Sequence, residues 1–313
     1  MARRVEHIQF DSESGRAVLM QKNIVTKVRY TTVKCKFCGD WESVVQYGRT
    51  PRGTQRYLCR KCKRTFLDNK APERMQYPIE AIASAINQFY EATSLHKIAR
   101  QIKMDYGVAP SHMTVYRWIT RYTKKAVEKL ADVPVQVGPT WVADETVVKL
   151  KSKGGENIWF WDAIDDKTKF LLASHLSETR TTRDAKTLME RAERRAQAAP
   201  RTIVTDKLRS YLDAVELTWG ADAKHVKTSP FMRGKSEDST RAIERFHGTL
   251  KDRTKVMRAL WNKRTARLAL DGWLVHYNFF RPHSGLGGKT PAEAAGAEVP
   301  YRSWKDVVEE RAT

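Results

Sequence analysis

The sequence predicts an α/β protein: a mixed sheet with helices on its faces, preceded by a small cysteine-stapled ribbon and a helical module. Three observations carry that expectation. All four cysteines fall in two CxxC pairs, Cys35-Lys-Phe-Cys38 and Cys59-Arg-Lys-Cys62. Residues 78–129 read as helices with cap residues between them. From Pro139 three strand-like runs are followed by alternating helices and strands, the order of a mixed α/β domain. At 313 residues, 41% of them hydrophobic, the chain can hold two or three domains and bury a core.

Lysine and arginine exceed aspartate and glutamate by 57 to 36, a net charge of +21. Residues 1–140 carry +13 of that and residues 141–313 carry +8. Such an excess points to a polyanionic partner, with nucleic acid first and the N-terminal half as the docking surface. No apolar run approaches the ~20 residues of a membrane span. Met1-Ala-Arg-Arg-Val-Glu-His has no apolar signal core. An intracellular protein without a membrane partner is the expectation.

The two CxxC pairs are separated by 20 residues. That spacing suits two knuckles supplying Cys35, Cys38, Cys59 and Cys62 to one tetrahedral structural Zn²⁺. A disulfide framework is the alternative, and it is rare inside cells. Four thiolates leave no open position for catalysis. The ribbon spans about residues 30–70 of an N-terminal region 1–75. Its basic residues, Arg52, Arg56, Arg60, Lys61 and Lys63 with Arg49 and Arg64, form a phosphate-contacting surface. The interleaved Trp41, Tyr47, Tyr57 and Phe66 read as its minimal core.

Residues 76–130 read as a helix-turn-helix domain. Pro78 opens a helix through Tyr90, Ser94 can cap one over Leu95–Ile102, and Ser111 can cap one over His112–Tyr122 after the turn at Gly107–Pro110. Val115, Trp118 and Ile119 pack inward on this reading. His112, Thr114, Arg117 and Arg121 then face bases or phosphates. A small helical bundle with solvated charges is the alternative. Residues 131–138 form a linker.

In the third segment, strands are expected at Trp141–Leu150, Asn157–Ile164 and Lys169–His175, with a helix at Thr182–Ala198. A strand follows at Arg201–Thr205, and then a helix at Leu208–Leu217. Three acids stand out. Asp144 lies inside the apolar run Thr140–Leu150, Asp206 ends the strand Thr202–Thr205, and Glu244 lies on a helix within Ser239–Trp261. Ionised acids among apolar residues need compensation, and divalent cations that serve phosphoryl transfer are the usual one. At ~100° per residue, Glu244, His247 and Lys251 share an arc of about 60°, while Ile243, Phe246 and Leu250 form the buried stripe. A lone Glu there also reads as a solvated face. Strand alternation sends Glu145 to the face opposite Asp144, and Asp162, Asp165 and Asp166 read as strand-end and turn residues.

Trp141-Val-Ala-Asp-Glu-Thr, Ile203-Val-Thr-Asp206 and Ile243-Glu-Arg-Phe-His-Gly-Thr-Leu-Lys-Asp-Arg253 resemble the three acidic blocks of DDE-class insertion-sequence transposases. Tyr277-Asn-Phe-Phe-Arg-Pro-His-Ser-Gly-Leu286 with Thr290-Pro-Ala-Glu293 resembles the end of their retroviral-integrase-like core. The likeness is greatest to insertion-sequence family six. It implies an RNase H-like catalytic domain over 139–295, with 296–313 left as a C-terminal tail. Asp144, Asp206 and Glu244 are then catalytic ligands of two Mg²⁺, replaceable by Mn²⁺. Lys251 lies near the DNA, and His247, Arg281 and His283 support the site. The 37 residues between Asp206 and Glu244 exceed the usual family spacing. The partners implied are double-stranded DNA, both element ends and target, and a second copy of the chain, in a prokaryotic cytoplasm at the nucleoid. A DNA-binding regulator or an RNase H-like nuclease would share parts of this pattern without joining DNA ends.

Overall fold

A computed structural model of the chain describes residues 8–11, 16–21, 24–26, 33–51, 53–69, 71–72, 75–149, 157–227, 241–257 and 263–310. Two compact units divide it, Met1–Ile79 and Glu80–Ala312.

The first unit holds two three-stranded antiparallel sheets, β1 (Ile8–Asp11), β2 (Arg16–Gln21) and β3 (Ile24–Thr26), then β4 (Val44–Arg49), β5 (Gln55–Cys59) and β6 (Thr65–Leu67). The first cysteine knuckle closes because Gly39 takes φ +74°, letting its N–H donate to Cys35 O at 2.8 Å. The buried apolar cluster around β4–β6 is small among the described residues. Cys35, Val44, Cys59 and Phe66 are buried, with Phe37 edge-on and Tyr57 stacked on Phe66. Of the aromatics expected in that core, Trp41 and Tyr47 are instead about half exposed.

The second unit is entered through α1 (Ile79–Tyr90), α2 (Leu95–Tyr106) and α3 (His112–Leu130). The Ser111 hydroxyl caps α3, accepting from Thr114 N–H at 3.1 Å. Ser94 stands at the N-cap of α2 but makes no side-chain cap bond. Gly107, at φ +65°, ends α2. Val115, Trp118 and Ile119 are buried, and α3 runs two turns past Tyr122 because Tyr122, Ala126 and Leu130 continue the buried stripe.

That stripe packs on α7 (Lys263–Val275). The contact is close because Gly272 presents no side chain: a methyl there would collide with the Tyr90 hydroxyl and the Thr123 γ-methyl. The Tyr90 hydroxyl is also hydrogen-bonded to the Thr123 hydroxyl at 2.6 Å. Gly272→Ala is therefore expected to destabilise the unit by about 1–3 kcal/mol through overpacking, read as a lower Tm of the purified protein; an unchanged Tm would refute the close packing.

The centre of the unit is a five-stranded sheet in the order β11-β10-β7-β8-β9. β7 (Thr140–Lys149), β8 (Asn157–Asp165) and β9 (Leu171–Ser177) form an antiparallel meander, while β10 (Thr202–Thr205) is parallel to β7 and β11 (Lys224–Lys227) to β10. Helices cover both faces. Trp161 meets Tyr211 of α5 (Arg209–Trp219), which packs with α4 (Thr182–Ala196); its chain neighbour Asp162 meets α6 (Arg241–Met257) on the other face. The result is the mixed, helix-flanked α/β core that the sequence predicts.

After α7 one π-helical turn, His276–Phe280, closes with Arg281 N–H donating to His276 O. It aims the Asn278 amide at β9, where it both donates to Leu171 O (3.0 Å) and accepts from Leu171 N–H (2.9 Å). α8 (Pro291–Ala294) follows with a Thr290/Glu293 capping box. The segment expected as a tail is instead packed from Tyr301: α9 (Trp304–Glu309) buries Trp304, Val307 and Val308. Trp304 stacks on Tyr90, and Lys125 Nζ donates to Val307 O and Glu310 O. Three apolar residues at helical spacing are the signal for that docking.

Candidate active site

The acid site grows out of strand register. β10 pairs with β7 so that Val204 stands beside Val142. Asp206 and Asp144 each lie two residues further on, so parallel neighbours bring their carboxylates to the same end of the sheet. Candidate ligand oxygens of Asp144, Glu145 and Asp206 all lie within 4.8 Å of one another. Asp206 is fixed by an Asx-type turn, its Oδ1 accepting from Leu208 N–H at 2.8 Å.

Glu145 departs from expectation. Alternation does send it to the α5 face, where burial lifts its pKa above the ordinary carboxylate value, against the nearby Tyr211 hydroxyl and Arg180. Its carboxylate nevertheless joins the cluster, because Arg180 pairs with Glu145 and lies 4.0 Å from Asp206 Oδ2. The Glu145 side chain is 2% exposed and that of Arg180 37%, so the guanidinium forms the solvent side of the cluster. It also lies over the Trp159 ring at 4.7 Å.

Glu244 is on the first turn of α6 and is exposed, outside the cluster of the three other acids. The helix is nonetheless anchored to the site one turn later. His247, 6% exposed, lies between two carboxylates, its Nδ1 3.4 Å from Asp144 Oδ2 and its Nε2 3.0 Å from Asp162 Oδ2. Asp162 is directly across from Asp144 on β8 and is fully buried. The sequence reading as a strand-end residue missed it; its signal was an acid in the run Trp159-Phe-Trp-Asp-Ala-Ile164. Asp165 does serve the turn, accepting from Thr168 and from Gly138 N–H.

Burial alone would discharge His247, but hydrogen bonds to Asp144 and Asp162 outweigh it and raise its pKa to about 9. Burial lifts Asp162 to about 7, against the pull of His247. A histidine pKa raised on folding stabilises fully below about 6.5, and that contribution is lost as pH rises through about 9. Without added metal, the Tm advantage of wild type over His247→Gln is therefore expected to shrink between pH 6.5 and 9. A constant difference across that range would contradict a charged His247.

The donor set of the cluster is all oxygen, as hard divalent cations such as Mg²⁺ and Mn²⁺ require. Among the described residues Arg180 faces Glu145 and Asp206, and His247 is shared between Asp144 and Asp162, so the three acids keep negative charge for a cation to offset. The four cysteines form a separate centre in the first unit. Their sulfurs lie within 4.8 Å of one another, with Cys35–Cys62 and Cys38–Cys59 both at 3.6 Å. Thiolates around one tetrahedral Zn²⁺ at ~2.3 Å would stand about 3.8 Å apart, so the set fits. Burial works against ionising Cys59, but N–H groups of Cys62 and Lys61 and the neighbouring thiols outweigh it and bring the thiol down to about 7.

The remaining expected contact residues are spread over both units. Arg60, Lys61 and Lys63 are exposed on the ribbon, Arg56 is half-buried near the Tyr47 ring, and Arg52 lies outside the described residues. Arg117, Arg121 and Lys251 are exposed. His112 is half-buried with its ring 4.2 Å from that of His96, and the Thr114 hydroxyl is 3.0 Å from Ser111 Oγ. Arg281 is tied to Glu91 at 3.7 Å and lies over Trp273; His283 packs edge-on against Tyr277.

Carboxylates clustered at the same end of two adjacent parallel strands make a site that could hold a divalent cation. Residues 138–283 match the family model of a DDE domain. The chain is 33% identical over 135 residues to an uncharacterized protein in transposable element ISH50 of Halobacterium salinarum, a match covering 43% of each chain. The match therefore spans less than half the length of that relative. Among solved structures it is similar to the HTLV-2 integrase catalytic core domain in complex with magnesium, at 16% identity and a TM-score of 0.40, covering 52% of this chain and 99% of that one. The BIV integrase catalytic core domain is similar at 16% identity and a TM-score of 0.35, covering 49% and 92%. No described helix is long and apolar enough to cross a membrane.

Proposed function

We propose that the protein is a DNA transposase that binds the ends of its own element, cuts them and joins them to target DNA. The observation that carries this reading is the meeting of Asp144 and Asp206 at matched positions of adjacent parallel strands within a DDE domain. Asp144 and Asp206 would hold Mg²⁺, with Glu244 brought in as the third ligand by a shift of the α6 first turn. Glu145 then serves as the anchor of Arg180. Bound divalent cations supply Lewis-acid stabilisation of a phosphoryl-transfer transition state and a more acidic attacking water.

The chain's own residues do the rest. His247 holds the Asp144 carboxylate in one orientation from α6. Arg180 beside the acids and the exposed Lys251 on α6 offer positive charge to DNA phosphates. Water attacks the phosphorus at the element end, and the bond from phosphorus to the 3′-oxygen breaks, leaving a 3′-hydroxyl. That hydroxyl then attacks a target phosphodiester in line, and the target's own 3′-oxygen leaves. Neither step needs a covalent protein–DNA intermediate. The ribbon, folded around Zn²⁺ at its four cysteines, and the α2–α3 pair supply the DNA grip, and a homodimer or higher oligomer would bring two ends together.

The test incubates purified protein, Mg²⁺ and DNA carrying the sequences that flank its gene with a target plasmid. Mg²⁺-dependent cleavage at the element ends and joined products are expected. Tight, salt-sensitive binding without cleavage would replace this reading with a DNA-binding regulator, and cleavage without joining would replace it with a nuclease.

A further inference from the structure

Asp162 stands in β8 between the buried Trp161 and Ala163, and none of its surface is exposed. Its Oδ2 accepts from His247 Nε2 at 3.0 Å, and its Oδ1 has no hydrogen-bond partner among the described residues. A carboxylate buried with one oxygen unpaired costs stability. An apolar residue of like volume often serves a core as well or better. Packing alone therefore does not call for an acid at this position, and its use lies in the group it holds.

Asp144 and Asp162 are direct partners in the β7–β8 register, so their side chains leave the same face of the sheet. The His247 ring bridges them. Its Nε2 meets Asp162, and its Nδ1 is 3.4 Å from Asp144 Oδ2. The last side-chain torsions of histidine and aspartate are broad when nothing holds them. A ring gripped at both nitrogens has one orientation, and so has the Asp144 carboxylate that it meets. The same grip seats α6, which buries Ile243, Phe246 and Leu250 and carries Glu244 one turn before His247.

We propose that Asp162 is a positioning residue of the acid site: it anchors His247 and, through that ring, fixes the Asp144 carboxylate in the orientation that binds a divalent cation. The inference rests on the reading of Asp144 as a cation ligand. Groups that orient a metal ligand from behind change cation affinity by about 10- to 100-fold when removed, and that is the size of effect expected of Asp162.

The test titrates MnCl₂ into the whole chain, its cysteine centre loaded with Zn²⁺, and follows free Mn²⁺ by electron paramagnetic resonance, with thermal unfolding as the check on folding. Binding that wild type shows and Asp144→Asn loses marks the acid site. Asp162→Val, which fills the space without an acceptor, is expected to weaken that binding about 10-fold or more. Asp162→Asn keeps an oxygen that can accept from Nε2 and is expected to bind Mn²⁺ nearly as wild type does. His247→Phe is expected to weaken binding as Asp162→Val does, and adding Asp162→Val to it to cost nothing more, because the effect runs through the ring. That double variant leaves neither partner buried alone, so it decides the matter even where Asp162→Val by itself fails to fold. Three results would overturn the proposal and leave the transposase reading standing: a folded Asp162→Val with wild-type affinity, equal losses in Asp162→Asn and Asp162→Val, or a further loss on adding Asp162→Val to His247→Phe. Mn²⁺ binding that is the same in wild type and Asp144→Asn would instead overturn the reading of the acid site, and the proposal with it.

Discussion

Asp144→Asn is expected to lower strand cutting and joining by roughly 10³-fold or more while leaving DNA affinity nearly unchanged. The substitution keeps the size of the side chain and an oxygen that can face His247 Nδ1, now 3.4 Å away. It removes one negative charge from a cluster whose purpose, on this account, is to hold cations. The surfaces proposed to grip DNA, meanwhile, lie on the ribbon and the α2–α3 helices. A gel assay of end cleavage beside a salt titration of binding reads both quantities. Loss of binding in the variant would give Asp144 a structural role, and retained cleavage would remove it from the active site.

The second large effect concerns the cysteine centre. Wild-type protein is expected to carry one equivalent of Zn²⁺, and removing it with a chelator is expected to unfold residues 33–69. The buried apolar cluster there is small, so the metal must supply most of the folding free energy, on the order of 10–16 kcal/mol for such sites. The unit Glu80–Ala312 has its own sheet and core and is expected to stay folded. Hydrogen exchange resolved by peptide measures this directly, with fast exchange confined to the ribbon after chelation. Cys59→Ser is expected to do the same. A ribbon that keeps its protection without metal would contradict the assignment.

What was legible in the sequence was local. Two CxxC pairs announce a four-sulfur centre, Ser111 announces the start of α3, and the strand runs of 141–175 announce a meander. Asp206 was legible because it ends a strand. What was not legible depends on long-range pairing. Glu145 joins the acids only because Arg180, 35 residues away, draws it over the sheet end. Asp162 lies behind Asp144 only through the β7–β8 register, and the buried His247 between them is set by how α6 seats on the sheet. The docking of α9 depends on Tyr90, far away in sequence. Periodicity marks a buried face but not its partner.

The central claim is that Asp144 and Asp206 jointly hold a divalent cation. A crystal of the wild-type protein grown with MnCl₂ and measured for anomalous scattering tests it most directly. The account predicts a manganese peak bonded to one oxygen each of Asp144 and Asp206, with Arg180 moved off Asp206 and Glu244 turned inward. A peak bonded to Glu145 in place of Glu244 would reassign the third ligand. No peak at the two aspartates, with Arg180 still between Glu145 and Asp206, would contradict the account.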